Sequence, residues 1–289
     1  MDHNFSSCQL VHVVGLFLLQ TSQGAEAERI KRMIKQSNKS PHEFRLKELK
    51  SATRNFHPGN KLGEGGFGKV YKGSIAEMDV AIKRLSKDSH EGKQEFVAEI
   101  TTISHLEHKN LVKLMGWCCE SGELLLMYKF MPNGSLDNLL FSYRNTASQI
   151  VLQSWKIRFS IICGVASALD YLHVGCNMKV LHRDVKASNV MLDSIMGDFG
   201  LARNIQDAGK THHSTKDVAG TPGCMAPEYV LTEKASAKTD IYGFGVFLME
   251  ATCGRKPVHK TRDHENRKRH CGLVMGVIWK RNDPQCCGL

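Results

Sequence analysis

The sequence predicts an α+β protein of two lobes, a small one built on an antiparallel sheet with one main helix and a second that is mostly helical. Two observations carry this. Short alternating or β-branched runs separated by glycine turns fill residues 57–131, and helical periodicities replace them after the turn Pro132-Asn-Gly134. With 42% hydrophobic and 24% charged residues over 289 positions, the chain has material for a sizeable core.

Residues 1–41 read as an unstructured or juxtamembrane-like segment. The apolar stretch at 10–19 is shorter than the ~20 residues a membrane-spanning helix needs, and only His3 supplies positive character ahead of it, which disfavours an export signal. Residues 26–36 form a short basic amphipathic segment, with Ile30, Met33 and Ile34 at helical spacing among Arg29, Lys31, Arg32 and Lys35. It suits a solvated helix end or a peripheral contact with an anionic membrane surface. Pro41 forces an extended entry, and 44–56 then reads as a helix with Leu46, Leu49 and Ala52 on one side.

From 60 to 85 the pattern is strand, glycine turn, strand, turn, strand, with Val80-Ala-Ile-Lys83 as a buried run. A helix over 91–106 places Phe96, Ile100 and Ile103 on one face, and strands over 111–117 and 124–131 complete the small lobe. In the second lobe Ile162, Val165, Leu169 and Leu172 line one face of a long helix ending near His173-Val-Gly175. The nearly all-apolar stretch 239–252 predicts a helix buried on most sides. The organised domain is placed at 42–258, with lobes at about 57–131 and 132–258, and a basic divergent tail at 259–289.

The net charge of +10 suits acidic partners, nucleotide phosphates foremost. With no RNP, zinc-finger or arginine-rich signature, no nucleic-acid partner is expected. The ten cysteines include the adjacent pairs Cys118–Cys119 and Cys286–Cys287 and no Cys-x-x-Cys. That spacing argues against a zinc site or a disulfide framework, and for reduced thiols in a cytoplasmic setting.

Gly63-Glu-Gly-Gly-Phe-Gly68 fits G-x-G-x-x-G, where glycines let backbone N–H groups approach phosphates. A dinucleotide fold would open a helix at the last glycine. Here Lys69-Val70-Tyr-Lys continues as a strand and Val80-Ala-Ile-Lys83 follows one strand later, so the loop is a hairpin lid. In this register the chain resembles protein kinases. His182-Arg-Asp-Val-Lys-Ala-Ser-Asn189 matches the catalytic loop, Asp198-Phe-Gly200 the metal-binding triplet, and Ala226-Pro-Glu228 the end of the activation segment. Gly116-Trp-Cys118, Met131-Pro-Asn-Gly-Ser-Leu136 and Thr211-His-His-Ser-Thr-Lys216 narrow the resemblance to plant receptor-like kinases, most of all the L-type lectin-domain receptor kinases.

That resemblance implies a serine/threonine kinase using ATP and Mg2+, with a protein-kinase-like fold, Ser/Thr-bearing protein substrates and a place in receptor-like signalling at the cytoplasmic face of the plasma membrane. Asp184 would accept or orient the substrate hydroxyl proton, Lys186 steady the γ-phosphate, Lys83 hold the α- and β-phosphates, and Glu99 orient Lys83. Asn189 and Asp198 would ligate the metal. Leu62, Gly63, Glu64, Gly65, Gly66, Phe67 and Gly68 would cover the nucleotide, and Leu62, Val70, Ala81 and Met191 would stack on adenine. The Lys129 carbonyl and Met131 amide would meet the adenine edge beside Tyr128 at the gatekeeper position, and Asp137 would lie near the ribose. Thr211, Ser214, Thr215 and Thr221 are candidate phosphosites facing Arg183.

The chain also departs from the family. The segment Asp193-Ser-Ile-Met-Gly-Asp198 is shorter, with Met191–Leu192 expected to pair with Ile195–Met196 across a two-residue turn. The second lobe is shortened, which would leave Glu228 buried without its arginine partner. Cys224 replaces a tyrosine and Lys129 a glutamate, and the lectin ectodomain is absent. These departures keep a second expectation open: a nucleotide-binding pseudokinase, or a fragment that binds a receptor kinase partner with impaired catalysis.

Overall fold

The computed structural model of the chain describes residues 27–35, 41–65, 68–86, 90–141, 155–176, 178–193, 195–205, 212–214, 218–254 and 256. The stretch 10–19, Gly66 and Phe67, the phosphosite candidates Thr211 and Thr215, and the tail from 259 lie outside them. The chain forms two compact units, Met1–Glu107 with Val112–Met131, and His108–Leu111 with Pro132–Leu289.

In the first unit α1 (27–35) precedes β1 (His42–Glu43), α2 (Leu46–Ala52), β2 (Lys61–Gly65), β3 (Gly68–Ile75), β4 (Met78–Leu85), α3 (His90–Ile103), β5 (Leu114–Glu120) and β6 (Glu123–Lys129). Among the described residues these strands form a six-stranded sheet in the order β1-β5-β6-β4-β3-β2. It is antiparallel except at β1, which pairs parallel with β5. That strand was not expected. Trp117 Nε1 donates to the Pro41 carbonyl at 3.2 Å, and the Phe44 amide donates to the Trp117 carbonyl at 2.8 Å. Together they draw the entry segment onto the sheet edge.

The helix expected over 44–56 is confined to α2. The Thr53 hydroxyl donates to the Leu49 carbonyl at 2.8 Å and accepts from the Phe56 amide at 3.0 Å. Arg54, Asn55 and Phe56 then turn left-handed, which ends the helix and swings Phe56 into the core. There Leu46, Leu49, Phe56, Tyr71, Val80, Ile82, Cys118, Leu125 and Met127 cover one face of the sheet. Period-two alternation puts Val70, Ala81, Lys83 and Tyr128 on the other face, with Val70 opposite Lys83 and Ala81 opposite Tyr128. Helix α3 buries Phe96 and Ile100, and Phe96 meets Trp117 edge to face at 6.3 Å.

The basic segment is not a solvated helix end. In α1, Ile30 and Ile34 are buried, and Lys31 reaches Glu43 at 2.8 Å. Glu43 holds the Lys31 ammonium above its usual pKa. The two isoleucines that a membrane contact would need are already inside the protein.

The second unit contains α4 (Leu136–Phe141) and α5 (Trp155–Asp170), which runs into a π-helical turn at Tyr171–Gly175. Then come β7 (Lys179–Leu181), β8 (Val190–Met191), β9 (Ile195–Met196), β10 (Arg203–Ile205), β11 (His212–Ser214), α6 (Pro227–Thr232), β12 (Lys234–Ser236) and α7 (Ala237–Cys253). Ile162, Val165, Leu169 and Leu172 are buried along α5, as the periodicity predicted. Trp155–Gly175 is long and apolar enough by composition to cross a membrane. Its Arg158 guanidinium instead caps the Ala251 and Thr252 carbonyls of α7 at 3.0 and 3.2 Å.

Helix α7 follows the expectation from its apolar run. From Thr239 to Glu250 every position but Ile241 is buried or half-buried, and the most buried face carries the carboxylates Asp240 and Glu250. The shortened hairpin forms one residue earlier than expected, with Val190 opposite Met196 and Met191 opposite Ile195. The Leu192 amide is drawn instead to the Gly134 carbonyl at 3.1 Å. Glu228, expected buried and unpaired, lies exposed in the first turn of α6, so no burial penalty attaches to it.

A Cβ added at Gly116 would lie 2.4 Å from the Phe44 ring and 2.6 Å from the His42 carbonyl oxygen. Gly116→Ala is expected to lower stability by about 1–3 kcal/mol, read from chemical denaturation of the full chain.

Candidate active site

In the first unit, Lys83 points from β4 toward α3. Its ammonium lies 2.7 Å from Glu95 Oε1 and 3.1 Å from Glu99 Oε2, and the Tyr128 hydroxyl donates to Glu99 Oε1. Both carboxylates are buried, and they share a helix face because they are four residues apart. The expected ion pair of Lys83 with Glu99 is present. Glu95 was not anticipated, although the four-residue repeat was its visible signal.

The glycine turn joins β2 to β3, with Gly65 opposite Gly68. Gly68 is required by the fold: its φ is +140°, and a Cβ there would meet the Arg84 carbonyl oxygen at 2.2 Å. A Cβ at Gly63 or Gly65 would meet nothing within 4 Å, so packing does not demand these two glycines and they leave the backbone open to an approaching group. Glu64 pairs with Lys61 and, at 3.7 Å, with Lys69. Leu62 and Lys129 are exposed; Val70, Ala81 and Met131 are half-buried.

In the second unit the residues of the 182–189 loop assemble around Asp184. Lys186 Nζ lies 2.6 Å from Asp184 Oδ2 and donates to the Thr221 hydroxyl at 2.7 Å; that hydroxyl in turn donates to Asp184 Oδ1 at 2.6 Å. Asn189 Nδ2 donates to the Asp184 carbonyl at 2.9 Å and to Oδ2 at 3.0 Å, leaving its amide oxygen as the atom it can offer a cation. The Gly197 amide donates to the Asn189 carbonyl at 2.9 Å, which brings the start of Asp198-Phe-Gly200 beside Asn189. Asn189 and Asp198 each carry an oxygen donor of the kind a hard divalent cation takes. Met191 is half-buried on β8, and Asp137 Oδ1 accepts from Ser135 Oγ at 2.6 Å.

The loop is held from beneath. Asp240 accepts from the His182 and Arg183 amides at 2.8 and 2.7 Å and contacts His173 Nε2 at 2.8 Å. Glu250 Oε2 accepts from the Ala187 amide at 3.0 Å. Burial raises the Glu250 carboxyl pKa, opposed by that amide bond. Arg183 is itself left-handed, at φ 69°, and buried. Its guanidinium donates to Tyr229 and to the Leu201 carbonyl. Of the phosphosite candidates, Thr221 has its hydroxyl engaged by Asp184 and Lys186. Cys224 is buried and its thiol is pushed up to about 12 by desolvation, so it is protonated and inert at neutral pH. Asp240 and Glu250 were not anticipated, and Thr221 was anticipated as a phosphosite rather than as a partner of Asp184.

Comparison with known proteins places these features in context. The family described as "Protein kinase domain" matches residues 56–285. The chain is 52% identical over 245 residues to "Probable L-type lectin-domain containing receptor kinase S.5" of Arabidopsis thaliana, covering 83% of this chain and 37% of that protein. It is 50% identical over 229 residues to "L-type lectin-domain containing receptor kinase IX.2" of the same plant, covering 77% and 33%. To "L-type lectin-domain containing receptor kinase SIT1" of Oryza sativa subsp. japonica it is 49% identical over 224 residues, covering 75% and 32%. The chain thus spans about a third of the length of these relatives.

Asp240→Ala strands buried backbone donors and is expected to cost at least ~3 kcal/mol in urea denaturation. Glu250 behaves differently. Its raised folded-state pKa means that the native chain holds this proton more tightly than the unfolded one, whose value is about 4.3. Its contribution is therefore full below the unfolded pKa and is lost as pH rises through the folded value. Glu250→Gln is expected to flatten that loss while keeping an acceptor for Ala187, as melting temperatures from pH 4 to 8 would show.

Proposed function

Since the chain belongs to the protein kinase domain family, we propose that it is a serine/threonine protein kinase that transfers the γ-phosphoryl group of Mg·ATP to Ser and Thr hydroxyls of proteins. One observation carries this reading: an aliphatic hydroxyl, that of Thr221, already donates to Asp184 Oδ1 with the Lys186 ammonium beside it. The same carboxylate can orient a substrate serine or threonine hydroxyl and receive its proton, and Lys186 can neutralise charge on the transferring group.

In this reading bound Mg·ATP supplies the phosphoryl group and the metal charge that neutralises it. Lys83, oriented by Glu99, takes the α- and β-phosphates. The Asn189 amide oxygen and the Asp198 carboxylate hold the metal. The glycines at 63 and 65 leave room for phosphate oxygens near backbone amides, and Leu62, Val70, Ala81 and Met191 offer apolar surface to adenine. The Lys129 carbonyl and Met131 amide read its edge, so the lysine side chain at 129 leaves that recognition intact. Asp137 faces the ribose.

A nucleotide-binding pseudokinase is the second reading, motivated by the short segment before Asp198. The pairing of β8 with β9 and the bond from the Gly197 amide to the Asn189 carbonyl support the catalytic reading, because they keep the backbone leading to Asp198 in regular contact with the segment that carries Asn189. The receptor kinase relatives support a role in receptor-like signalling at the cytoplasmic side of a membrane.

Phosphate incorporation from labelled ATP into a generic basic protein tests the assignment. Wild type is expected to transfer, Asp184→Asn to fall to background with nucleotide binding kept, and Thr221→Val to lower turnover. A folded wild type that binds Mg·ATP and transfers nothing selects the pseudokinase reading.

A further inference from the structure

Lys83 carries one ammonium and faces two buried carboxylates. Glu95 and Glu99 stand on one face of α3, 3% and 1% exposed, and the shorter contact is to Glu95, 2.7 Å against 3.1 Å. Glu99 is fixed at both oxygens, by Lys83 at Oε2 and by the Tyr128 hydroxyl at Oε1. It therefore orients Lys83 without help. Glu95 adds a second negative charge that this task does not need, in a place where water screens little.

We propose that Glu95 is a positioning residue that competes with nucleotide phosphates for Lys83 and so sets how tightly the chain binds them. The inference rests on the reading of Lys83 as the phosphate-binding lysine. An ammonium has three N–H donors, and Glu95 and Glu99 each take one. Phosphate oxygens arriving at Lys83 meet an ammonium already held by buried carboxylates, whose negative charge opposes them. Two charges about 6 Å apart at an effective dielectric near 20 interact strongly enough to change an affinity by on the order of tenfold or more. Removing the Glu95 charge relieves the repulsion and frees an N–H donor. Glu99 and its tyrosine still hold the lysine in place.

Two measurements on the full chain separate this claim from the proposed function. The first needs no nucleotide: an amine-directed activated ester acylates Lys83, and peptide mass spectrometry reads the rate. Glu95→Gln is expected to raise that rate several-fold, because the shorter of the two ion pairs is gone. A rate equal to wild type overturns the claim that Glu95 holds Lys83. The second is calorimetric titration with a magnesium complex of a non-hydrolysable ATP analogue. Glu95→Gln is expected to tighten its Kd by on the order of tenfold, and steady-state assays to show a lower KM for ATP without a higher kcat. Binding that is unchanged or weaker overturns the competition. If Glu95→Gln does not fold, Glu95→Leu carries the same expectations, since an apolar side chain also removes the charge. Should neither wild type nor variant bind the analogue, the phosphate-binding reading of Lys83 falls, and with it the affinity claim. The acylation ratio still decides whether Glu95 restrains the lysine.

Discussion

Asp240, in the first turn of α7 and 1% exposed, accepts hydrogen bonds from two successive backbone amides of the loop that carries Asp184. Much of the second unit depends on that arrangement. Arg183 sits at φ 69°, a conformation that costs a non-glycine residue energy and persists only where surrounding contacts over-determine it. The carboxylate supplies those contacts, aided by the partial positive charge of its helix N-terminus. Further along the same helix Glu250 takes the Ala187 amide. One helix thus fixes both ends of the segment that presents Asp184, and the loop inherits its shape from the helix.

The first unit solves the same problem differently. Lys83 is positioned by strand alternation, which puts its side chain on the sheet face opposite the apolar cluster under α2. Both units use buried carboxylates, but for different partners. Asp240 and Glu250 receive rigid backbone amides and serve geometry. Glu95 and Glu99 receive a flexible ammonium that can leave, and they govern charge. A buried acid held by a backbone donor is a fixture, whereas one held by a lysine can lose its partner to a competing anion.

The turn before Asp198 is anchored from outside itself. Leu192 bonds to Gly134, Asn133 Nδ2 lies 3.3 Å from Asp193 Oδ1, and the Met196 amide donates to the Asn110 carbonyl at 2.8 Å. The strand pairing is minimal, but these neighbours define its register.

Motif spacing carried the resemblance that identified the kinase family and implied the pairing of Lys83 with Glu99, and local periodicity determined the strand-rich first unit and the buried face of α5. Periods of two and near four fix which side chains share a face whatever the rest of the chain does. Tertiary structure alone decided the parallel strand at 42–43 and the exposure of Glu228. It also brought Thr221 to Asp184 and Glu250 to Ala187. Each of these joins residues well separated in the chain, or depends on what a neighbour covers. No local pattern encodes such contacts, because their energy exists only once the intervening segments have packed.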